Sequence, residues 1–391
     1  MIAKPAWLLA AAVLFSTMAP AISTAQGTEP KPVRLKTERT DVLVETVAGP
    51  LAHPWGLTFL PDGRMLVTER QGRLRLVDPK AAFSKRLSTP LAGLPPIASV
   101  GQGGLLDVLA APDFATSRTI YLSFAEPRGR GRNATSVARA RLKADGSGLE
   151  DVVVIFRQLP AYVGSHHFGS RLVLDRTGAL FVTTGDRYSL RDEAQNPANH
   201  LGKIIRIKTS GGAAPGNPEL AGWAPEVWSI GHRNVQGAAL HPETGELWTA
   251  EHGARGGDEI NIPRKGRNYG WPVITYGRDY SGEKIGIGTR KSGMEQPIHY
   301  WDPSIAPSGM TFYTGDKFPF WRGNAFVGAL AGQLLARLEL KGEKVVREER
   351  MLKGLESRIR DVRQGPDGYI YLLTDERRGR ILRLKPVGAA R

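Results

Sequence analysis

The 391-residue chain lacks cysteine altogether, so no disulfide stabilises it and no thiol is available as a covalent nucleophile. Amphipathic helical windows are also scarce, because 46 glycines and 27 prolines interrupt the sequence every few residues. After the N-terminal region, no stretch is apolar enough to cross a membrane. These absences exclude a helical domain, a Rossmann-type domain and a membrane span after the N-terminal region, and they leave a β-rich chain that depends on its own core.

The N-terminus has the three parts of an export signal. A short positive stretch, Met1–Lys4, precedes an apolar run, Ala6–Phe15, and small residues follow. Signal peptidase requires that order, so residues 1–25 are predicted to be cleaved, which leaves a periplasmic or secreted protein that starts near Gln26. The alternative is a membrane anchor over Ala6–Ile22, which is short for a span and diluted by Ser, Thr and Pro.

Lys and Arg outnumber Asp and Glu, which gives a formal net charge of +15. Such a charge favours anionic partners, among them nucleic acid, acidic surfaces and small molecules with several carboxylates. The densest basic run, Arg128–Arg132, lies among Pro, Gly and Asn without interleaved aromatic residues. Because nucleic-acid patches combine basic with aromatic side chains, we interpret this run as a solvated loop and predict no nucleic-acid partner.

One short unit recurs six times along the chain: an alternating strand, a turn with Pro, Asp or Gly, and a second apolar strand. The copies are Gly56–Thr68, Leu106–Ser123, Arg171–Thr184, Ala238–Ala250, Gly309–Gly328 and Asp361–Thr374. Each copy indicates a β-hairpin, since Asp-Gly turns supply the positive φ that tight turns demand. Hairpins repeated in this way are typical of propeller blades, so the sequence predicts an all-β, six-bladed β-propeller with four-stranded antiparallel blades.

The same pattern sets the domain organisation. A polar N-terminal tail is predicted over residues 26–40 and a single propeller domain over residues 41–391. The segment Arg380–Leu384 alternates in the manner of a strand that closes the ring. The alternative is a β-sandwich or several small β-domains, which is disfavoured because no Pro/Ser-rich linker divides the chain.

Functional residues are expected in the Gly-rich loops between the hairpins, since propeller loops on one face surround the central channel. His166 and His167 precede the third hairpin and point to opposite sides of an extended backbone, so they cannot share one metal. Asp186 follows the same hairpin, which brings it beside a histidine whose tautomer it can fix. The pattern favours a general base without a covalent nucleophile. The alternative is a histidine that makes structural hydrogen bonds.

Two further kinds of segment indicate ligands. Glu251–Asn261 combines carboxylates with glycine-flanked carbonyls, the oxygen ligands that calcium prefers, although a turn with solvated acidic residues has the same composition. Arg233-Asn234 and Arg358-Ile359-Arg360 place guanidinium groups in loops, where two side by side suit a ligand with carboxylates. Exposed salt bridges are the alternative for these arginines.

Seven motifs, in a fixed order, carry a family resemblance. They are His53–Leu57, Gly101–Gly104, His167–Arg171, Gly231–Asn234, Glu251–Gly253 with Gly257–Asn261, Asn268–Pro272 and Arg358–Val362. Together they resemble the soluble quinoprotein aldose sugar dehydrogenases of the glucose/sorbosone dehydrogenase family, from about Leu43 to Leu384. The resemblance implies a six-bladed propeller that uses pyrroloquinoline quinone (PQQ) and calcium.

The resemblance also implies roles for single residues. His167 matches the general base that takes the proton from the sugar's anomeric hydroxyl as hydride passes to the quinone, and Asp186 matches the acid that orients this base. The residues that match quinone-binding positions are Gln102, Arg233, Asn234, Arg358 and Arg360. The calcium positions are matched by the main-chain carbonyls of Gly253 and Ala254 and by Glu259 and Tyr269, with Asp279 at a second, structural calcium site.

Two departures from the family pattern concern the quinone. Many members carry a lysine on the cofactor in a Gly-x-Leu-Lys stretch, where this chain has Ala331. Ser304 takes the place of a cofactor-binding threonine. The loss of one charge-assisted contact in a dry site costs about 1.5 to 3 kcal/mol, which weakens binding roughly ten- to hundredfold. The sequence therefore predicts a quinone site with one cationic contact fewer.

The resulting functional prediction is an exported quinoprotein that oxidises aldose sugars to lactones and passes electrons to a soluble carrier or a membrane quinone. It is expected as a monomer or homodimer. Two alternatives belong to other classes: a calcium-dependent propeller hydrolase of the lactonase kind, and a non-catalytic propeller that serves as a ligand-binding scaffold. Ala331 is the residue that favours the scaffold.

Overall fold

β-Strands form almost all of the regular structure in residues 28–388, the part of the chain that the computed structural model describes. Helix is limited there to one turn, α1 (Phe114–Ser117), and to 3-10 turns at Phe83–Lys85, Arg191–Gln195, Pro319–Trp321 and Lys353–Leu355. No helix within those residues is long and apolar enough to cross a membrane. The predicted signal peptide, residues 1–25, lies outside the described residues.

The strands follow one another as small antiparallel sheets. β1 (Val33–Leu35) and β2 (Val42–Leu51) come first, and blade 1 follows with β3 (Pro54–Phe59), β4 (Met65–Glu69) and β5 (Arg73–Val77). Blade 2 contains β6 (Leu105–Ala110), β7 (Thr119–Pro127), β8 (Asn133–Leu142) and β9 (Leu149–Arg157). Blade 3 contains β10 (Leu172–Leu174), β11 (Ala179–Thr183), β12 (Lys203–Lys208) and β13 (Val227–Ile230).

The remaining strands complete the ring. Blade 4 contains β14 (Val235–Leu240), β15 (Leu247–Glu251), β16 (Asp258–Asn261) and β17 (His299–Trp301). Blade 5 contains β18 (Pro307–Phe312), β19 (Ala325–Ala329), β20 (Leu334–Lys341) and β21 (Lys344–Met351). Blade 6 contains β22 (Ile359–Gln364), β23 (Ile370–Thr374) and β24 (Gly379–Pro386). The six sheets confirm the predicted six-bladed propeller.

The six sequence repeats are the inner hairpins of the six blades. Each copy covers the first two strands of its blade, from β3–β4 in blade 1 to β22–β23 in blade 6. In the first copy, Leu60 donates a 2.8 Å main-chain hydrogen bond to Arg64 across the turn. Gly63 in this turn has a φ of +88° and open space around it. Its backbone conformation alone therefore requires glycine, as the Asp-Gly pattern predicts.

The ring is closed by strands from the two ends of the described chain. β2 pairs with β24, with Val44 opposite Leu384, so the predicted closing strand is confirmed as part of β24. Within the segment predicted as a polar tail, β1 pairs with β2 and extends blade 6 to five strands. Blade 1 has three strands, supplemented by a single bridge between Val77 and Leu87. The predicted four strands per blade are therefore found in blades 2 to 5.

The hydrophobic core lies between neighbouring blades. Successive strand residues point to opposite faces of a sheet, and each face meets another blade. Leu74 of blade 1 clusters with Leu122 and Phe124 of blade 2, all fully buried, and Ile260 of blade 4 clusters with Val327 of blade 5. Full burial of one such side chain stabilises the fold by about 1.5–3 kcal/mol. Each blade therefore depends on the blades beside it.

A buried ion network crosses the centre of the ring. Arg171, just before β10, lies 3.0 Å from Asp107 of β6 and 3.1 Å from Asp361 of β22. Arg363 lies 3.0 Å from each of the same two carboxylates. The side chains of Arg171 and both aspartates are almost fully buried. One cavity lies where the inner strands begin, and another lies where they end. The ion network separates these two cavities.

Candidate active site

Adjoining cavities open where the inner strands begin. The first, of about 220 Å³, is central, because residues from all six blades line it. The second, of about 290 Å³, lies beside His167 and Asp186. A third, of about 10 Å³, shares walls with both: Arg233 borders the second and third cavities, and His252 borders the first and third. The loops singled out in the sequence therefore meet at one place.

The predicted base and its carboxylate meet beside the second cavity. His167 Nδ1 lies 2.6 Å from Asp186 Oδ1, and both side chains are almost fully buried. The β10–β11 hairpin sets this distance, because His167 lies before its first strand and Asp186 after its second. The His167 carbonyl passes so close to Gly185 that a side chain at position 185 would clash with it. Glycine at this position is needed for the pair to form.

The surroundings hold Asp186 ionised and His167 neutral. Asp186 also accepts hydrogen bonds from Trp271 Nε1 and from the Tyr188 main-chain N–H, each at 2.8 Å. Burial acts to raise the pKa of Asp186, but the bond with His167 and the charge of Arg233 outweigh it, so this pKa is lowered. Burial lowers the pKa of His167, against the opposing effect of Asp186. Because an ionised carboxylate only accepts, Nδ1 carries the proton and Nε2 has the lone pair of a base.

Arg187 holds in place the loop that carries His166 and His167, called the histidine loop below, a role that the sequence reasoning missed. Its buried guanidinium donates to the carbonyls of Asn133 and Gly164 at 2.9 Å and of His166 at 3.0 Å. The available signal was its position directly after Asp186 in a Gly-rich segment. Its partner Asn133 lies 54 residues away in the chain, so the contact itself has no local signature.

Gln102 and Asn234 link the first cavity to the histidine loop. Gln102 Oε1 accepts a 2.9 Å hydrogen bond from the His167 main-chain N–H, and Asn234 Oδ1 accepts one of 3.1 Å from that of Gly169. Both side chains line the first cavity. Within residues 28–388 neither amide NH₂ group has a hydrogen-bond acceptor in the protein, which leaves two donors for a ligand.

Arg358 and Arg360 bring positive charge to the first cavity from blade 6. Arg360 is buried and donates to Gln236 Oε1 at 2.9 Å and to Asp375 Oδ2 at 2.7 Å. Arg358 is exposed and donates to the Leu330 carbonyl at 3.3 Å. Burial acts to raise the pKa of Asp375, but Arg360 outweighs it, so this pKa is held well below its usual range. Both arginines face one cavity, as expected for positions i and i+2.

Arg233 borders the second and third cavities. Its Nη1 donates to the carbonyls of His252, at 3.2 Å, and Gly253, and its guanidinium lies 5.2 Å from the centre of the Trp271 ring. Its Nε is buried without a partner among the described residues, and the same holds for Arg360 Nε and His252 Nε2. Buried polar atoms are nearly always hydrogen-bonded, so a polar ligand in these cavities would supply partners that the protein does not.

The predicted calcium ligands lie next to the third cavity. Gly253, Glu259 and Tyr269 line it, and Ala254 lines the second cavity. Glu259 accepts a 3.1 Å hydrogen bond from Asn261, and burial together with the charges of Glu251 and Asp258 raises its pKa. In the described part of the chain, no group of three or more His, Cys, Asp or Glu side chains could hold a metal ion. A calcium ion here would rely on main-chain oxygens beside the carboxylates of Glu251 and Glu259, which both line the third cavity.

Three predicted positions make protein contacts of their own. The Tyr269 hydroxyl donates to a main-chain carbonyl and accepts a 2.8 Å bond from another residue's N–H, so this hydroxyl already has protein partners. Ser304 Oγ donates to Asp258 Oδ2 at 2.7 Å. Asp279 borders the second cavity and lies 3.3 Å from Arg191. Asp279 thus lies on the wall of the second cavity, whereas Ser304 lines none of the three cavities.

Fold and site together define a class of protein: a six-bladed propeller whose centre joins basic side chains to a buried histidine–carboxylate pair. The profile of the Glucose / Sorbosone dehydrogenase family matches residues 51–383, from the end of β2 into β24. The chain belongs to this family. The resemblance drawn from the seven motifs is thereby confirmed.

Relatives of this chain are named as sugar dehydrogenases. Aldose sugar dehydrogenase YliI of Escherichia coli (strain K12) is 47% identical over 350 residues, which are 88% of this chain and 93% of that protein. The solved structure of a glucose dehydrogenase is 52% identical, with a TM-score of 0.84 over 88% of this chain and 99% of the other. The PQQ-bound form of an aldose sugar dehydrogenase from Streptomyces coelicolor is 30% identical, with a TM-score of 0.73 over 92% and 99%.

Proposed function

We propose that this protein is an exported, PQQ-dependent aldose sugar dehydrogenase that oxidises the anomeric hydroxyl of an aldose to a lactone with the help of calcium. The observation that carries the proposal is the buried His167–Asp186 pair, 2.6 Å apart, beside a cavity of about 290 Å³. Family membership and relatives named as aldose sugar and glucose dehydrogenases support it. A sugar bound in that cavity would lie beside a neutral imidazole.

His167 performs the proton transfer. Its Nε2 accepts the proton of the anomeric O–H while the C–H bond breaks with its electron pair and the C=O bond of the lactone forms. The quinone, polarised by calcium, supplies the acceptor for the departing hydride when it is bound. Asp186 holds Nδ1–H through the 2.6 Å hydrogen bond and stabilises the imidazolium that forms.

The first cavity is the proposed quinone pocket. Gln102, Asn234, Arg358 and Arg360 line this cavity and are proposed to hold PQQ, together with Arg233 at the two adjoining cavities and Ser304, which lines none of the three. Arginine suits the carboxylates of this tricarboxylate, and the orphaned buried Nε–H groups of Arg233 and Arg360 would gain acceptors from it. Burial lowers the pKa of His252 to about 3, so it contributes a neutral group. A relative with PQQ bound supports this cofactor.

Calcium is proposed to lie against the main-chain carbonyls of Gly253 and Ala254, with the Glu259 carboxylate and the Tyr269 carbonyl as further ligands. Burial and the neighbouring charges of Glu251 and Asp258 raise the pKa of Glu259. A divalent cation would offset that repulsion and favour the ionised carboxylate. Oxygen donors of this kind are the ligands that calcium takes in proteins.

Reconstitution with PQQ and calcium tests the proposal. His167→Gln removes the base and leaves the first cavity intact, so we expect the absorbance changes of quinone binding to persist while dye reduction with aldoses is lost. His166→Gln is the matched control, because His166 is exposed and its ring contacts Ser165 at 3.0 Å. Its turnover should be retained. An active His167→Gln variant would remove His167 from the mechanism.

The wild-type protein separates the alternative functions in the same assay. Reduction of bound quinone by a sugar supports the dehydrogenase. Quinone binding that no aldose reduces supports a scaffold, and lactone hydrolysis without quinone binding supports a calcium-dependent hydrolase. The proposed electron acceptor is a soluble carrier or a membrane quinone. Export predicts a mature N-terminus near Gln26 in the periplasmic or secreted fraction, which N-terminal sequencing measures.

A further inference from the structure

Arg70 brings a third guanidinium to the first cavity. It directly follows β4 and lines this cavity together with Arg358 and Arg360. Its backbone is held on both sides: its N–H donates to the His53 carbonyl at 3.1 Å, and its carbonyl accepts from Leu105 at 3.0 Å. The side chain therefore starts from a fixed point where blades 1 and 2 meet.

Positive charge in the first cavity exceeds negative charge. Among the described residues that line it, Asp375 alone is acidic, and it already accepts from Arg360 at 2.7 Å and from His53 at 2.8 Å. Within residues 28–388 the Arg70 guanidinium has no hydrogen-bond partner. Burial lowers the pKa of Arg70, and repulsion from Arg360 and Arg358 acts in the same direction against the attraction of Asp375. A bound anion would stabilise cations gathered in this way.

Ala331 lies on the wall of the same cavity. An alanine methyl cannot bind a carboxylate, and the family pattern has a lysine at this position. On the basis of the proposed function, we propose that Arg70 binds a carboxylate of the quinone and supplies the cationic contact that Ala331 lacks. The guanidinium fork matches a carboxylate with two parallel hydrogen bonds. Arg70 gives up no protein hydrogen bond in the described structure to make them.

Direct titration with PQQ at saturating calcium tests Arg70. Binding is followed by tryptophan fluorescence, since Trp55 lines the cavity. Arg70→Gln should raise the Kd about ten- to hundredfold, the size of one lost charge-assisted contact. Arg64→Gln is the matched control, because it makes the same charge change in the same blade, at an ion pair with Asp62 away from the cavity. The Kd of this control should equal that of the wild-type protein.

Salt dependence and rescue separate a direct contact from a structural role. Loss of a direct charge contact should make the Kd of Arg70→Gln less sensitive to salt. Arg70→Lys keeps the charge but not the two parallel hydrogen bonds, so its Kd should lie between those of the wild-type protein and Arg70→Gln. Ala331→Lys should tighten binding in the Arg70→Gln background. The assignment would be wrong if Arg70→Gln bound PQQ with the same Kd as the wild-type protein. It would also be wrong if the Kd rose but its salt dependence did not change and neither Arg70→Lys nor Ala331→Lys restored affinity. Failure of the wild-type protein to bind PQQ would instead overturn the proposed function on which it rests.

Discussion

The chemistry of His167 depends on how completely one carboxylate is hydrogen-bonded. Asp186 contacts the histidine, the Trp271 indole and the Tyr188 main chain at 2.6 to 2.8 Å. A carboxylate bound on several sides is held in one orientation, so it keeps the imidazole in one tautomer. At the scale of single residues, the ability of His167 to act as a base therefore depends on Asp186 as well as on the imidazole itself.

Replacement of Asp186 by Asn should change both the rate and its pH dependence. Asp186 raises the pKa of His167 against the effect of burial, so its loss lowers that pKa further. We expect turnover to fall by about 10²- to 10⁴-fold. The acidic limb of the kcat/KM profile should move to lower pH, because His167 then loses its proton at a lower pH. Steady-state kinetics across a pH range of about 4 to 9 measure both effects.

Trp271→Phe is the comparison for that experiment. It removes one hydrogen bond to Asp186 but keeps the negative charge. The acidic limb of the kcat/KM profile of Trp271→Phe should stay closer to that of the wild-type enzyme than the limb of Asp186→Asn does. Its turnover should also fall less than that of Asp186→Asn. An acidic limb that did not move in Asp186→Asn would show that the carboxylate does not control His167.

Among the structural elements, β2 and β1 contribute very differently to the closing blade. β2 pairs with β24 from Val42 to Leu51, and Val42 and Val44 are buried in a core cluster shared with blades 5 and 6. β1 adds three residue pairs at the outer edge. Ring closure therefore rests on β2, whereas β1 is an extension of the sheet.

Two N-terminal truncations should accordingly behave differently. A chain that starts at Thr40 lacks β1 and should still fold, with a thermal midpoint only a few degrees lower. A chain that starts at Ala52 also lacks β2, which uncovers the edge of β24 and opens the ring, so we expect aggregation. Size-exclusion chromatography and circular dichroism distinguish these outcomes. A monodisperse, folded chain starting at Ala52 would contradict the role of β2.

On the scale of the whole molecule, the ion network in the channel joins inner strands from different blades. Arg171 bridges Asp107 and Asp361, and its guanidinium lies 4.3 Å from the centre of the Trp55 ring on the wall of the first cavity. Buried charges are costly unless they are paired. Loss of one carboxylate would leave an uncompensated charge where several blades meet.

Asp361→Asn should therefore lower the free energy of unfolding by about 3–5 kcal/mol. Asp62→Asn serves as the comparison, since the exposed Asp62–Arg64 pair contributes about 1 kcal/mol or less. Urea unfolding followed by tryptophan fluorescence measures both variants. Similar effects in the two variants would mean that the central network does not stabilise the ring.

The features that could be predicted from the sequence have local signals. Each inner hairpin is marked by an alternating strand and a turn within a short stretch, and one hairpin brings His167 to Asp186, 19 residues further on. Contacts between distant loops have no such signal. Arg360 donates to Gln236, 124 residues away, and Arg187 reaches Asn133 from another blade. The neighbouring sequence of these arginines does not show which distant residue each of them contacts.

By itself, the sequence determined the blade unit, the number of blades and the family, because turn residues, alternation and motif order are properties of neighbouring positions. Only the tertiary structure decided what each arginine does. Arg70, Arg171 and Arg187 all stand at strand ends or in loops, yet one faces the first cavity, one crosses the channel and one holds the histidine loop. The reason is physical: the partner of a charge depends on which groups ring closure brings near, and those groups lie far apart in the chain.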